Sequence, residues 1–114
     1  MGVDLDAMRA ERAARLDAEL ARLVSELRAM GATLIVLFGS YAAGRRDLFT
    51  DLDLLVVMES DEPFVHRTAR LYRRLHPQVA TDLLVYTPEE FEEMRERPLV
   101  RHALATGKVL HEAR

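Results

Sequence analysis

Three short apolar runs restrict the fold of this 114-residue chain more than any other feature. They are Thr33–Phe38 (TLIVLF), Asp51–Met58 (DLDLLVVM) and Val79–Tyr86 (VATDLLVY). Thr33–Phe38, continuous and with β-branched residues, reads as a buried strand, and the other two runs read as a second and a third strand. Between and around them lie segments with helical character. Asp4–Met30 is rich in Ala, Leu, Arg and Glu, which favour helix. Its Leu16, Leu20, Leu23, Leu27 and Met30 recur at steps of three and four, which makes one apolar stripe, and Gly31 follows as a stop. Tyr41–Gly44 reads as a short helical turn and Arg45–Thr50 as a polar loop. Phe64–His76 carries Val65, Ala69, Leu71, Tyr72 and Leu75 at helical spacing and ends at Pro77. Thr87-Pro88-Glu89-Glu90 has the form of a capped helix start, with Pro at the first helical position and Glu three residues after the cap; that helix is expected to reach Arg97. Pro98 opens another helix over Leu99–Thr106, Gly107 breaks it, and Lys108–His111 reads as a short last strand. The expected fold is α/β (α+β): a small mixed sheet of three to four strands flanked by helices, in a single domain over residues 1–114.

Composition narrows the function classes. With 49% hydrophobic and 31% charged residues, the chain has the make-up of a globular protein and not of a disordered one. No apolar run approaches the length of a membrane span. Residues Met1–Arg15 lack an apolar signal core, and there is no cysteine, so a cytoplasmic location is expected and thiolate chemistry is excluded. The formal net charge of −3 argues against a dedicated nucleic-acid-binding surface but not against a nucleotide site, where a bound cation reverses the local charge. His66, His76, His102 and His111 show no metal-ligand spacing and read as surface or partly buried residues.

The chemistry lies at the strand ends. Side chains alternate along a strand with period two, so Asp51 and Asp53 are expected on one face while Leu52, Leu54 and Val56 enter a core. Two adjacent carboxylates repel, and both ionise near neutral pH only if a cation compensates them. Oxygen-only ligands of this kind suit Mg²⁺. Asp82 interrupts the third apolar run, where an isolated buried charge is unfavourable. If that strand pairs beside the second, Asp82 joins the same cluster. Gly39-Ser40 closes the first strand; the glycine lets backbone approach a phosphate, and the hydroxyl and nearby N–H groups offer donors to its oxygens.

Gly39-Ser40, ten residues, then Asp51-Leu52-Asp53 resembles the GS-x10-DxD signature of the minimal nucleotidyltransferase family, within the DNA polymerase β-like superfamily. The string GSYAAGRRDLFTDLDLLV is similar to that family throughout, and Asp82 matches its third carboxylate. The chain departs from the family in having Ala43 where Arg is common and Thr50 where Ser is common.

The resemblance implies a polymerase β-like fold and metal-dependent transfer of a nucleotide from ATP or another NTP. Asp51, Asp53 and Asp82 would hold two Mg²⁺ ions, with Mn²⁺ as an alternative, and Gly39 and Ser40 would hold phosphates. Arg45 or Arg46 would replace the missing cation, and Thr50 would still donate a hydroxyl. Minimal members resemble the antitoxin half of pairs with a HEPN toxin, so the expected acceptor is a Tyr of a HEPN partner. Two other readings compete: a non-catalytic antitoxin that binds only, and transfer to a small molecule such as an aminoglycoside. The latter goes with a homo-oligomer whose second subunit completes the pocket.

Overall fold

A computed structural model of the chain describes residues 2, 4–45 and 50–113. Helix α1 (Leu5–Ala29) starts at Asp4, whose carboxylate caps the Ala7 N–H at 3.0 Å. It is followed by β1 (Leu34–Phe38), the single-turn α2 (Gly39–Ala42), β2 (Leu52–Val57), α3 (Phe64–Leu75) and β3 (Thr81–Tyr86). Then come α4 (Pro88–Met94), α5 (Pro98–Thr106) and β4 (Lys108–Glu112). The four strands form one sheet in the order β3-β2-β1-β4. β1 is antiparallel to both neighbours, and β2 and β3 are parallel, joined by the α3 crossover. The expected mixed sheet flanked by helices is therefore present, with the weakly signalled last strand included.

Helices cover both faces, which explains why the strands read as continuous apolar runs. On one face Leu16, Leu23 and Leu27 of α1 and Leu71 and Leu75 of α3 pack on Ile35, Leu37, Leu54, Val56 and Val85. On the other, Phe91 of α4 and Val100 of α5 pack on Val36, Leu55, Val57 and Tyr86. The capping box expected at Thr87 is formed, with the Thr87 hydroxyl accepting from Glu90 N–H and the Glu90 carboxylate accepting from Thr87 N–H.

Boundaries differ from expectation where long-range contacts decide them. Asp51 precedes β2 and does not open it, α4 ends at Met94, short of Arg97, and Gly39 and Ser40 begin α2 and do not precede it. α3 ends at His76 in a left-handed conformation, φ 45°. There the Arg22 guanidinium donates to the Leu75 and His76 carbonyls at 3.0 and 3.3 Å and occupies acceptors that a helix end leaves open.

Two buried charges escape the apolar-stripe reading. Glu19 is buried within the stripe of α1, bonded to Arg22 and to the Gln78 N–H; the Arg22 hydrogen bond holds its carboxyl below the ordinary value. Arg67 of α3 is 2% exposed and forms a bidentate pair with Glu90 at 2.7 and 3.2 Å, while also donating to the Val85 and Glu62 carbonyls. Among the described residues no helix is long and apolar enough to cross a membrane.

Gly107 has a tighter role than helix breaker. A Cβ there would meet Leu37 O at 2.6 Å and Val36 Cγ1 at 2.9 Å, with the Ala103 carbonyl closer still, so the α5–β4 corner lies directly on β1. Gly107→Ala is expected to destabilise the fold by about 1–3 kcal/mol through overpacking. A thermal melt should show a midpoint several degrees lower; an unchanged midpoint would disprove the close approach.

Candidate active site

The parallel pairing of β2 with β3 sets Asp53 directly beside Asp82, in a register that runs from Leu52↔Thr81 to Val57↔Tyr86. By strand alternation both carboxylates lie on the face of Leu55, Leu84 and Tyr86, toward the N-terminal ends of the parallel strands β2 and β3. Asp53 is half-buried on an inner strand, whereas Asp82 is exposed on the edge strand. Asp53 also faces Phe38 across the antiparallel pair with β1, so the chain turns into α2 beside it.

Gly39 makes that turn at φ +75°. A Cβ on Gly39 would penetrate the Asp53 carboxylate and lie 2.9 Å from its carboxyl carbon. The glycine is thus required twice, by its backbone angle and by the carboxylate packed against it. Ser40 follows in the first turn of α2, half-buried, with its carbonyl accepting from Arg45 N–H at 3.0 Å.

Burial, a hydrogen bond with Asp82, and the charges of Asp82 and Asp51 push Asp53 up to about 6 from an ordinary 3.8. Asp53 therefore holds its proton to a higher pH than a free carboxyl does. Asp51 is half-buried before the strand begins, where alternation does not fix its direction; it acts on Asp53 through its charge. Among the described residues no three carboxylate or imidazole groups converge closely enough to enclose a metal ion. Asp53 and Asp82 offer oxygen donors of the kind a hard cation takes, with Asp51 near enough to act on Asp53 through its charge.

Thr50 is fully buried, and its carbonyl accepts from the Arg12 guanidinium at 3.2 Å, so α1 anchors the segment that leads into Asp51. Arg45 is exposed after α2, close in sequence to the turn. Arg46, and with it Phe49, lies outside the described residues. Tyr41 is buried in the α1-side core with its hydroxyl on Asp17, and so packs the back of the turn. The residue that sequence reading missed is Tyr72 of α3. Its hydroxyl donates to the Thr81 carbonyl at 2.7 Å and accepts from Leu83 N–H at 3.0 Å, on either side of Asp82. Burial raises its pKa; the Leu83 N–H opposes this, and the negative charges of Asp82 and Asp53 add to it, so the hydroxyl stays protonated. In the sequence Tyr72 shows only as an apolar helical position. A groove of about 850 Å³ lies elsewhere, on the α1 side of the sheet between Leu20, Val24, Arg28, Tyr41 and Leu110. It holds none of the acidic pair.

Residues 18–102 match the family model described as the nucleotidyltransferase domain. The chain belongs to that family. Among solved structures, it is similar to a chain of a mutant toxin–antitoxin MntA–HpeT crystal structure, with TM-score 0.53 and 22% identity over 86% of this chain and 73% of that one. It is also similar to a candidate minimal nucleotidyltransferase, with TM-score 0.49 and 28% identity over 93% of this chain and 95% of the other. The first likeness carries the fold. No curated protein matches the chain.

Two outcomes test this geometry. The folded value of Asp53 lies above its ordinary one, so folding favours the protonated form. That contribution is complete below about pH 4 and lost as pH rises through about 6. Asp53→Asn should therefore flatten the fall in melting temperature of the cation-free protein between those pH values; an unaltered pH profile would count against the acidic pair. Gly39→Ala should fold but displace Asp53, and side-chain carboxyl NMR should then show Asp53 titrating closer to 3.8.

Proposed function

We propose that this nucleotidyltransferase domain transfers AMP from ATP to the hydroxyl of a Tyr on a partner HEPN toxin. The observation that carries the reading is the in-register Asp53–Asp82 pair beside Gly39, in a chain that belongs to the nucleotidyltransferase domain family. In this reading residues 18–102, if not the whole of 1–114, form the catalytic unit.

Asp51, Asp53 and Asp82 would hold Mg²⁺, two ions or their Mn²⁺ equivalents, which when bound would neutralise triphosphate charge and polarise the α-phosphorus. Asp53, fixed between β1 and β3, is the rigid ligand. Asp82, exposed on the edge strand, is open to an incoming hydroxyl and accepts its proton. The hydroxyl oxygen forms a bond to the α-phosphorus as the α–β bridging bond breaks, and pyrophosphate leaves with that electron pair. Gly39 allows the triphosphate close to the backbone, and Ser40 donates to it. Arg45 and Arg46 supply positive charge where Ala43 does not, and Thr50 anchors the backbone that leads into Asp51. The acceptor is chosen on the likeness in fold to a chain from a toxin–antitoxin structure.

Incubation of the protein with Mg²⁺, α-labelled ATP and a candidate HEPN partner should move label onto the partner, whereas γ-labelled ATP should not. Asp53→Asn should lower the transfer by at least about a hundredfold, on the scale of losing a principal electrostatic element of catalysis. Transfer that persists in Asp51→Asn/Asp53→Asn would sink the mechanism. Tight complex formation without any transfer would replace it with a binding-only antitoxin.

A further inference from the structure

We propose that Tyr72 is a positioning residue for Asp82: its hydroxyl clamps the outer edge of β3 on both sides of that carboxylate and fixes where it points. The inference rests on the reading of Asp53 and Asp82 as ligands of a divalent cation.

β3 is an edge strand, so the main-chain groups of Thr81 and Leu83 have no neighbouring strand on their outer side. One hydroxyl serves both, donating to Thr81 C=O at 2.7 Å and accepting from Leu83 N–H at 3.0 Å. These are the residues immediately before and after Asp82. An edge strand held on one side only is free to pucker or twist, and a pucker at position 82 would swing its carboxylate away from Asp53. The two-sided clamp removes that freedom. Solvent would satisfy the same two groups at an exposed edge, as it does on most edge strands, so hydrogen-bond satisfaction alone does not call for a tyrosine.

The clamp comes from the opposite face of the sheet. Tyr72 packs against the α1-side core and reaches around the edge, so it orients Asp82 without occupying the side where substrate would lie. Its anchor is rigid: Leu71 and Leu75, which flank it on α3, are buried. Further along the same edge, Arg67 serves the Val85 carbonyl at 2.8 Å, which leaves the site-proximal stretch to Tyr72.

Mn²⁺ binding, read by electron paramagnetic resonance of the free ion without nucleotide, tests the proposal apart from turnover. Tyr72→Phe keeps the ring and loses both hydrogen bonds. It should weaken Mn²⁺ binding about tenfold, as removal of a supporting partner of a metal ligand does. Tyr86→Phe, which removes a hydroxyl at the far end of β3, should bind as the wild type does. Equal Mn²⁺ affinity in the wild type and Tyr72→Phe overturns this inference alone. Absence of Mn²⁺ binding in the wild type, or undiminished binding in Asp53→Asn, overturns the functional reading and this inference with it. Amide hydrogen exchange on the wild type gives a measure independent of the variant's folding. Leu83 N–H should be protected to the level of the inner strands, and free exchange there overturns the clamp.

Discussion

Everything at the proposed site of this protein depends on one unfavourable contact, the placement of Asp53 and Asp82 side by side on parallel strands. Repulsion between carboxylates at this distance would separate them if the backbone allowed it. The backbone does not allow it, because the same register that opposes the two aspartates also opposes Leu54 to Leu83 and Val56 to Val85, and those residues are part of the buried core. A slip of one residue would turn the apolar side chains of β3 to the wrong face. The hydrophobic core therefore holds the acidic pair together, and burial, followed by the hydrogen bond and charge of Asp82, raises the proton affinity of Asp53.

The polar side chains outside the pair hold the surrounding backbone. Arg12 ties α1 to the segment before Asp51, and Arg15, Glu19 and Arg22 tie the same helix to the α3–β3 connection at Leu75, His76 and Gln78. Arg67 and Glu90 bind α3 to the start of α4 across the far end of β3. These contacts set the position of the edge strand at its entry and its exit. Buried charges of this kind contribute little net stability, because desolvation offsets much of the attraction; their removal singly, however, would leave an uncompensated charge.

The strands were legible because each is a short apolar run bounded by turn residues, and the helices because their stripes and caps are explicit. Asp53 and Asp82 were legible as carboxylates where a core strand does not expect them. Their adjacency needed the pairing of β2 with β3, which no local pattern states and which the resemblance to a family suggested. Asp51 has the local pattern of a strand residue, yet it lies one step before β2, where period two has no hold. Tyr72, Glu19 and Arg67 were not legible in their roles. Tyr72 looks like any apolar residue of a helical stripe, and the two charges look like solvated positions until the tertiary fold brings Leu83, Gln78 and Glu90 to them. Side-chain function that depends on contacts distant in sequence has no local signature.

The crossover through α3 has a consequence for how the protein is made. The two acidic strands are not joined by a hairpin, so no local element brings Asp53 and Asp82 together; the chain must first lay down α3 and close a long loop. Parallel pairings of this type are among the slower steps of folding because the loop entropy must be met before contacts reward it. A nascent or partly unfolded chain thus carries the aspartates but not their arrangement. The Asp53–Asp82 pairing is withheld until the edge strand has docked.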